Sequence, residues 1–184
     1  MLYVRKNEPG FTLIEIMIAL AIAGILLVSI YNLYISQSRT YTVQEQVSEM
    51  QQNARIAMNM ISTDIRMAGF NPTGATFNGL TYGTSQIQIK ADLNGDGDTS
   101  DTNEDITYTL DASDSSHPKI MRKNTAAGIL QPFAEDIEAL SFTTSGTNGT
   151  TISITARTRN KDPDYTGDGY HRMTLTADVV ARNL

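Results

Sequence analysis

Residues 5–35 read RKNEPGFTLIEIMIALAIAGILLVSIYNLYI, and the fold turns on how that stretch is read. From Phe11 to Ile35 it is almost continuously apolar, with one acid, Glu15, inside it. A helix of about 20 residues, rising roughly 1.5 Å per residue, crosses the ~30 Å hydrocarbon core of a bilayer. The stretch therefore has the length and composition of a membrane span. An ionised carboxylate in hydrocarbon is expensive and is kept where it pairs or functions. Glu15 is the residue that a plain anchor leaves unexplained.

The flanks give the span a direction. Arg5 and Lys6 precede it, Pro9-Gly10 separates them from it, and Arg39 alone follows closely. Positive charge stays on the cytoplasmic side, so the remainder faces the periplasm or the cell exterior. A cleaved secretory signal would have an apolar core of about 7–15 residues and a small-residue cleavage site. Ala21-Ile22-Ala23 imitates that site, but Ile25 to Ile30 carries the apolar run past it. Gly24, Ser29 and Asn32 form the softest part of the span, since glycine costs up to ~1 kcal/mol relative to alanine in a helix.

Beyond Ile35 the pattern becomes amphipathic without a break. Val43, Val47, Met50, Ala54, Ala57, Ile61, Ile65 and Ala68 step by fours and threes along one helical face. No proline stands between Pro9 and Pro72, and Gly69 is placed to end the helix. One helix is predicted from about Phe11 to Ala68, with residues 11–35 in the apolar half and 36–69 in the amphipathic half.

From Asn71 the period changes to two. Ile87 and Ile89, then Ile106, Tyr108 and Leu110, alternate with polar residues, and Ile120 is a weaker signal of the same kind. Leu140 and Phe142 lead through Ser145-Gly146-Thr147-Asn148-Gly149 to Ile152, Ile154 and Ala156, a hairpin pattern. Met173, Leu175, Ala177, Val179 and Ala181 make the last strand. Residues 70–184 are thus expected to form an antiparallel sheet of four to six strands with one face on the helix and one face wet. The class is α+β.

Composition narrows the chemistry. The 184 residues suffice for one span and one modest domain. A net charge of −6 argues against sequence-independent binding to nucleic acid. The absence of cysteine removes disulfides, zinc-thiolate sites and thiol catalysis together. His117 and His171 stand apart without a nucleophile motif and read as surface residues, and no glycine-rich phosphate loop follows a strand. The chain does not read as an enzyme.

Two acidic loops carry the pattern of a hard-cation site. Asp92-Leu93-Asn94-Gly95-Asp96-Gly97-Asp98 alternates oxygen ligands with a glycine at the sixth position, as calcium loops do. The twelfth position is Asn103, with Glu104 one residue late, and the flanks are strands, so an EF-hand is not expected. Asp92, Asn94, Asp96 and Asp98 are the expected Ca²⁺ ligands, against the alternative of a solvated acidic hairpin tip. A weaker pattern recurs at Asp164, Thr166 and Asp168 before Gly169.

Gly10-Phe11-Thr12-Leu13-Ile14-Glu15, after a basic leader and before uninterrupted apolar sequence, resembles the processing site of type IV prepilins and type II secretion pseudopilins. Met50-Gln51-Gln52-Asn53-Ala54-Arg55 and Asp64-Ile65-Arg66-Met67-Ala68-Gly69-Phe70 resemble minor pilins of the PilW type, with J-type pseudopilins as relatives. The resemblance implies a leader of residues 1–10, cut between Gly10 and Phe11 by a prepilin peptidase that also N-methylates Phe11. It implies that Glu15 faces the Phe11 amine of a neighbouring pilin in a filament. It further implies an inner-membrane assembly platform as partner. The protein would wait in the bacterial inner membrane as a single-pass, periplasmic-facing subunit and then join a pilus at the cell surface. Where relatives carry a proline several residues after the glycine at Gly24, this chain has Asn32, a departure that bears on local loosening of the helix. Two other readings stay open: a J-like pseudopilin of a type II secretion system, and a signal-anchored periplasmic binding domain.

Overall fold

A computed structural model describes residues 10–184; positions 1–9 of the expected leader lie outside the described residues. The chain divides into two units after Gln44. Helix α1 (Leu13–Met67) accounts for the first unit from Leu13 onward and opens the second.

In the first unit α1 is unbroken through Gly24, Ser29 and Asn32. The Ser29 hydroxyl donates to the Ile25 carbonyl at 3.0 Å, so its polar atom is satisfied within the helix, as a segment in lipid requires. The apolar side chains from Phe11 to Tyr34 are all exposed, with Phe11 at 86% and Leu13 at 76%. Among the described residues this is the one helix long and apolar enough to cross a membrane.

The second unit builds one core from the C-terminal part of α1 and two antiparallel sheets. Met50, Ala54, Ala57, Met58, Ile61 and Ile65 are buried along one face of α1, the 3.6-residue stripe read from the sequence. Small alanines alternate with larger side chains on this stripe and let strand backbones approach closely. The helix ends at Gly69, whose φ of +75° is the left-handed conformation glycine adopts at least cost. A Cβ there would lie 2.4 Å from Leu184 Cδ2 and 2.9 Å from the Asn183 carbonyl. The Gly69 N–H donates to the Lys90 carbonyl at 2.8 Å, which ties the helix end to a strand.

The first sheet is a five-stranded meander of β1 (Leu80–Gly83), β2 (Gln86–Lys90), β3 (Asp105–Asp111), β4 (Lys119–Lys123) and β5 (Gln131–Glu135). The second is a three-stranded meander of β6 (Ile137–Ser145), β7 (Gly149–Arg157) and β8 (Arg172–Val180). The expected single sheet of four to six strands is therefore two sheets. The chain passes between them at Asp136, a non-glycine residue with φ +59°. Inward-facing Ile87, Ile89, Ile106, Tyr108 and Ile120 of the first sheet and Ile137, Leu140, Ile152 and Ile154 of the second fill the same core. The predicted hairpin forms with Ser145 opposite Gly149, where a Cβ on Gly149 would strike the Ser145 carbonyl at 1.9 Å.

Asp64, on the sheet-facing side of α1, accepts from the Tyr108 hydroxyl at 2.7 Å and lies 3.8 Å from Arg122. Burial raises its carboxyl above the usual range, against the lowering effect of Tyr108 and Arg122. The Tyr108 hydroxyl is itself pushed up, first by burial and then by the Asp64 charge. Arg66 is exposed on the helix surface, and its carbonyl accepts from the Arg182 N–H at 3.4 Å.

Candidate functional site

The start of α1 shows why the sequence places Thr12 and Glu15 three residues apart. Thr12 precedes the first helical residue, and its Oγ1 accepts from the Glu15 N–H at 3.3 Å. Glu15 Oε2 in turn accepts from the Thr12 N–H and the Thr12 hydroxyl, both at 2.8 Å. This reciprocal cap satisfies donors that the first helical turn leaves without partners. Thr12 was not singled out in the sequence reading, although Thr-x-x-Glu before an apolar run is the signature of such a cap. Glu15, Ala19 and Ala23 share one face of α1 and, with Phe11 just before it, line a shallow groove. Among the hydrogen bonds of the described residues, Glu15 Oε1 makes none. One carboxylate oxygen is thus engaged locally, and Glu15 lines the same apolar groove as Phe11.

The loop between β2 and β3 treats its acids unequally. Asp92 is fully buried: Oδ1 accepts from the Gly95 N–H at 2.7 Å, and Oδ2 from the Gly97 N–H and the Thr73 hydroxyl, both at 3.1 Å. It folds the loop. Gly95 and Gly97, at φ +78° and +90°, supply the left-handed turns around it. Asn94 Nδ2 bridges Asp96 Oδ2 at 2.9 Å and Asp101 Oδ2 at 2.7 Å. Asp96 and Asp98 are grouped instead with Glu104, the residue one position late in the sequence pattern, with one carboxylate oxygen of each within 4.8 Å of the others.

The second acidic loop is organised by cations of the chain. Arg172 reaches Asp168 at 2.8 and 2.5 Å and Glu138 at 2.5 and 3.1 Å. Hydrogen bonds from Arg172 hold both carboxyls below the ordinary range, Asp168 far below it, and raise the guanidinium in turn. His171, expected at the surface, is half-buried: its Nε2 lies 3.0 Å from Asp162 Oδ2, and its ring lies 3.9 Å from that of Tyr165. His117 stands 3.5 Å from Asp136 and is more exposed. Asp164 is exposed, its N–H donating to Asp162 at 3.0 Å. Among the described residues, Asp164 and Asp168 do not fall in a cluster of three potential metal ligands.

Comparison with known proteins adds two family matches. The family described as prokaryotic N-terminal methylation motif matches residues 5–31, across Gly10, Phe11 and Glu15. The family described as prepilin peptidase-dependent protein B matches residues 43–179, most of the amphipathic helix and all but the last residue of the strands. No curated protein and no solved structure matches the chain. The apolar helix and the methylation motif fit a membrane-anchored pilin. With a capped apolar helix at its head and an α+β unit behind it, the chain belongs to the prepilin peptidase-dependent protein B family and is a type IV pilin-like protein.

Proposed function

We propose that the chain is a structural minor pilin of a type IV pilus system, acting in initiation or assembly of the filament rather than as an enzyme. A prepilin peptidase cuts between Gly10 and Phe11 and methylates Phe11, and an inner-membrane platform draws residues 11–35 from lipid into a helical core of other pilins. The observation that carries this reading is an exposed Glu15 in one apolar groove with Phe11, its Oε1 without a hydrogen-bond partner among the described residues. Cleavage at Gly10 turns the Phe11 nitrogen into an ammonium. In an apolar surround, opposite charges on adjacent subunits must pair, and the requirement fixes axial register more than it adds stability.

The test compares fibres from cells carrying the native chain, Glu15→Gln and Glu15→Ala. Both variants should be cleaved at Gly10, as read by peptide mass, yet drop out of sheared fibres. Normal incorporation of Glu15→Ala would overturn the pairing. An intact leader in cells with active peptidase would point to the signal-anchored domain, and recovery in a secretin-linked export complex rather than a fibre to the pseudopilin.

A further inference from the structure

The loop between β2 and β3 contains a charge arrangement that the pilin reading does not use. Glu104 sits at the foot of β3 and is only 2% exposed. Its Oε1 accepts from the Leu93 N–H at 2.8 Å and the Asn94 N–H at 3.1 Å, while Oε2 is buried with no hydrogen-bond partner. A buried carboxylate oxygen without a partner is costly, and natural folds seldom leave one unless something else satisfies it. Asp96 and Asp98 converge on the same residue, one oxygen from each of the three acids lying within 4.8 Å of the others. Among the described residues, none of these three acids forms an ion pair with a lysine, arginine or histidine.

We infer that Asp96, Asp98 and Glu104 bind one calcium ion, with Glu104 as the buried anchor. Calcium takes six to eight oxygens at about 2.3–2.6 Å, so two oxygens on one ion lie at most ~5 Å apart, a span the three carboxylates already fit. Magnesium demands about 2.0–2.1 Å and near-ideal octahedral order and keeps several of its waters, so three carboxylates on a protein loop suit calcium better. The ligand set differs from the one read off the sequence. Asp92 is occupied by two backbone donors of its own loop and by the Thr73 hydroxyl, and Asn94 Nδ2 bridges Asp96 and Asp101. Glu104 takes the place of the missing acid at the twelfth loop position. The loop belongs to a chain without cysteine, so a bound ion replaces the kind of cross-link a disulfide would supply.

The full chain, purified in detergent and stripped with chelator, is titrated with CaCl₂ and with MgCl₂, reading heat of binding and Tm. Calcium should bind at one saturable site and raise Tm by about 5–10 °C at ~100 times its Kd. Asp98→Asn keeps an oxygen acceptor for the Ser100 N–H and should weaken calcium binding at least roughly tenfold. Glu104→Gln should do the same, and if it fails to fold, Asp98→Asn decides alone. Asp168→Asn should leave the calcium response unchanged. Absence of heat and of a Tm shift up to about 10 mM calcium would overturn the site. So would an equal response to magnesium, or native affinity in Asp98→Asn.

Discussion

Thr12 and Glu15 hold each other at the head of α1, the hydroxyl accepting from the Glu15 N–H while Glu15 Oε2 accepts from the Thr12 N–H and hydroxyl at 2.8 Å. The acid in the apolar run is thereby anchored by its own helix start. Thr12→Val keeps the shape and removes the hydroxyl, so it should speed amide exchange at Glu15 several-fold and lower fibre incorporation. Thr12→Ser should behave as the native chain. Hydrogen exchange in detergent, with quantification of sheared fibres, checks both.

Tyr108 and Asp64 form the polar contact between helix and first sheet. Tyr108→Phe strips the half-buried Asp64 of its hydroxyl partner and should cost about 1–3 kcal/mol, lowering Tm by several degrees. Loss of a donor that favours the carboxylate moves the Asp64 carboxyl further upward. A raised folded value means that stability from Asp64 is fully present at low pH and falls as pH rises through that value. NMR titration of the Asp64 carboxyl and Tm across pH report both effects.

Arg172 sets the acid limb. Its hydrogen bonds lower the carboxyls of Asp168 and Glu138, so their contribution is present at neutral pH and is lost as pH falls through the lowered folded values. Arg172→Gln should be less stable than the native chain near neutrality, and the gap should close as pH falls below about 4. Thermal melts from pH 7 downward read the gap; a constant difference would refute the pairing as its cause.

Gly69→Ala should destabilise by more than ~1 kcal/mol, because the left-handed φ disfavours a side chain and the added methyl meets Leu184 and the Asn183 carbonyl. Gly74→Ala has a similar φ of +76° but open space around it, so it should cost less. The difference in Tm between the two variants isolates the contact from the strain.

The helix was legible because its period runs unbroken from Val43 to Ala68 and Gly69 stops it; the described α1 ends at Met67. The edge strands were not. β1 has four residues, too few to show alternation, and Pro132 in β5 disguises a strand that lies at the sheet edge, where proline is tolerated. Alternation reveals which residues face inward but not which strands are partners, so the joint at Asp136 and the division into two sheets left no periodic trace. At the helix head, Thr12 was readable from its spacing to Glu15. At the acidic loop, spacing drew attention to Asp92, whose burial behind its own backbone donors depends on Thr73 from a distant segment.

Both sheets are simple meanders in which each strand pairs with its nearest neighbours in the chain. Local pairings close small loops and pay little entropy before contacts form. Each hairpin can therefore zip as soon as its two strands exist, without waiting for a late strand to complete an early one. Order along the chain and order across each sheet coincide.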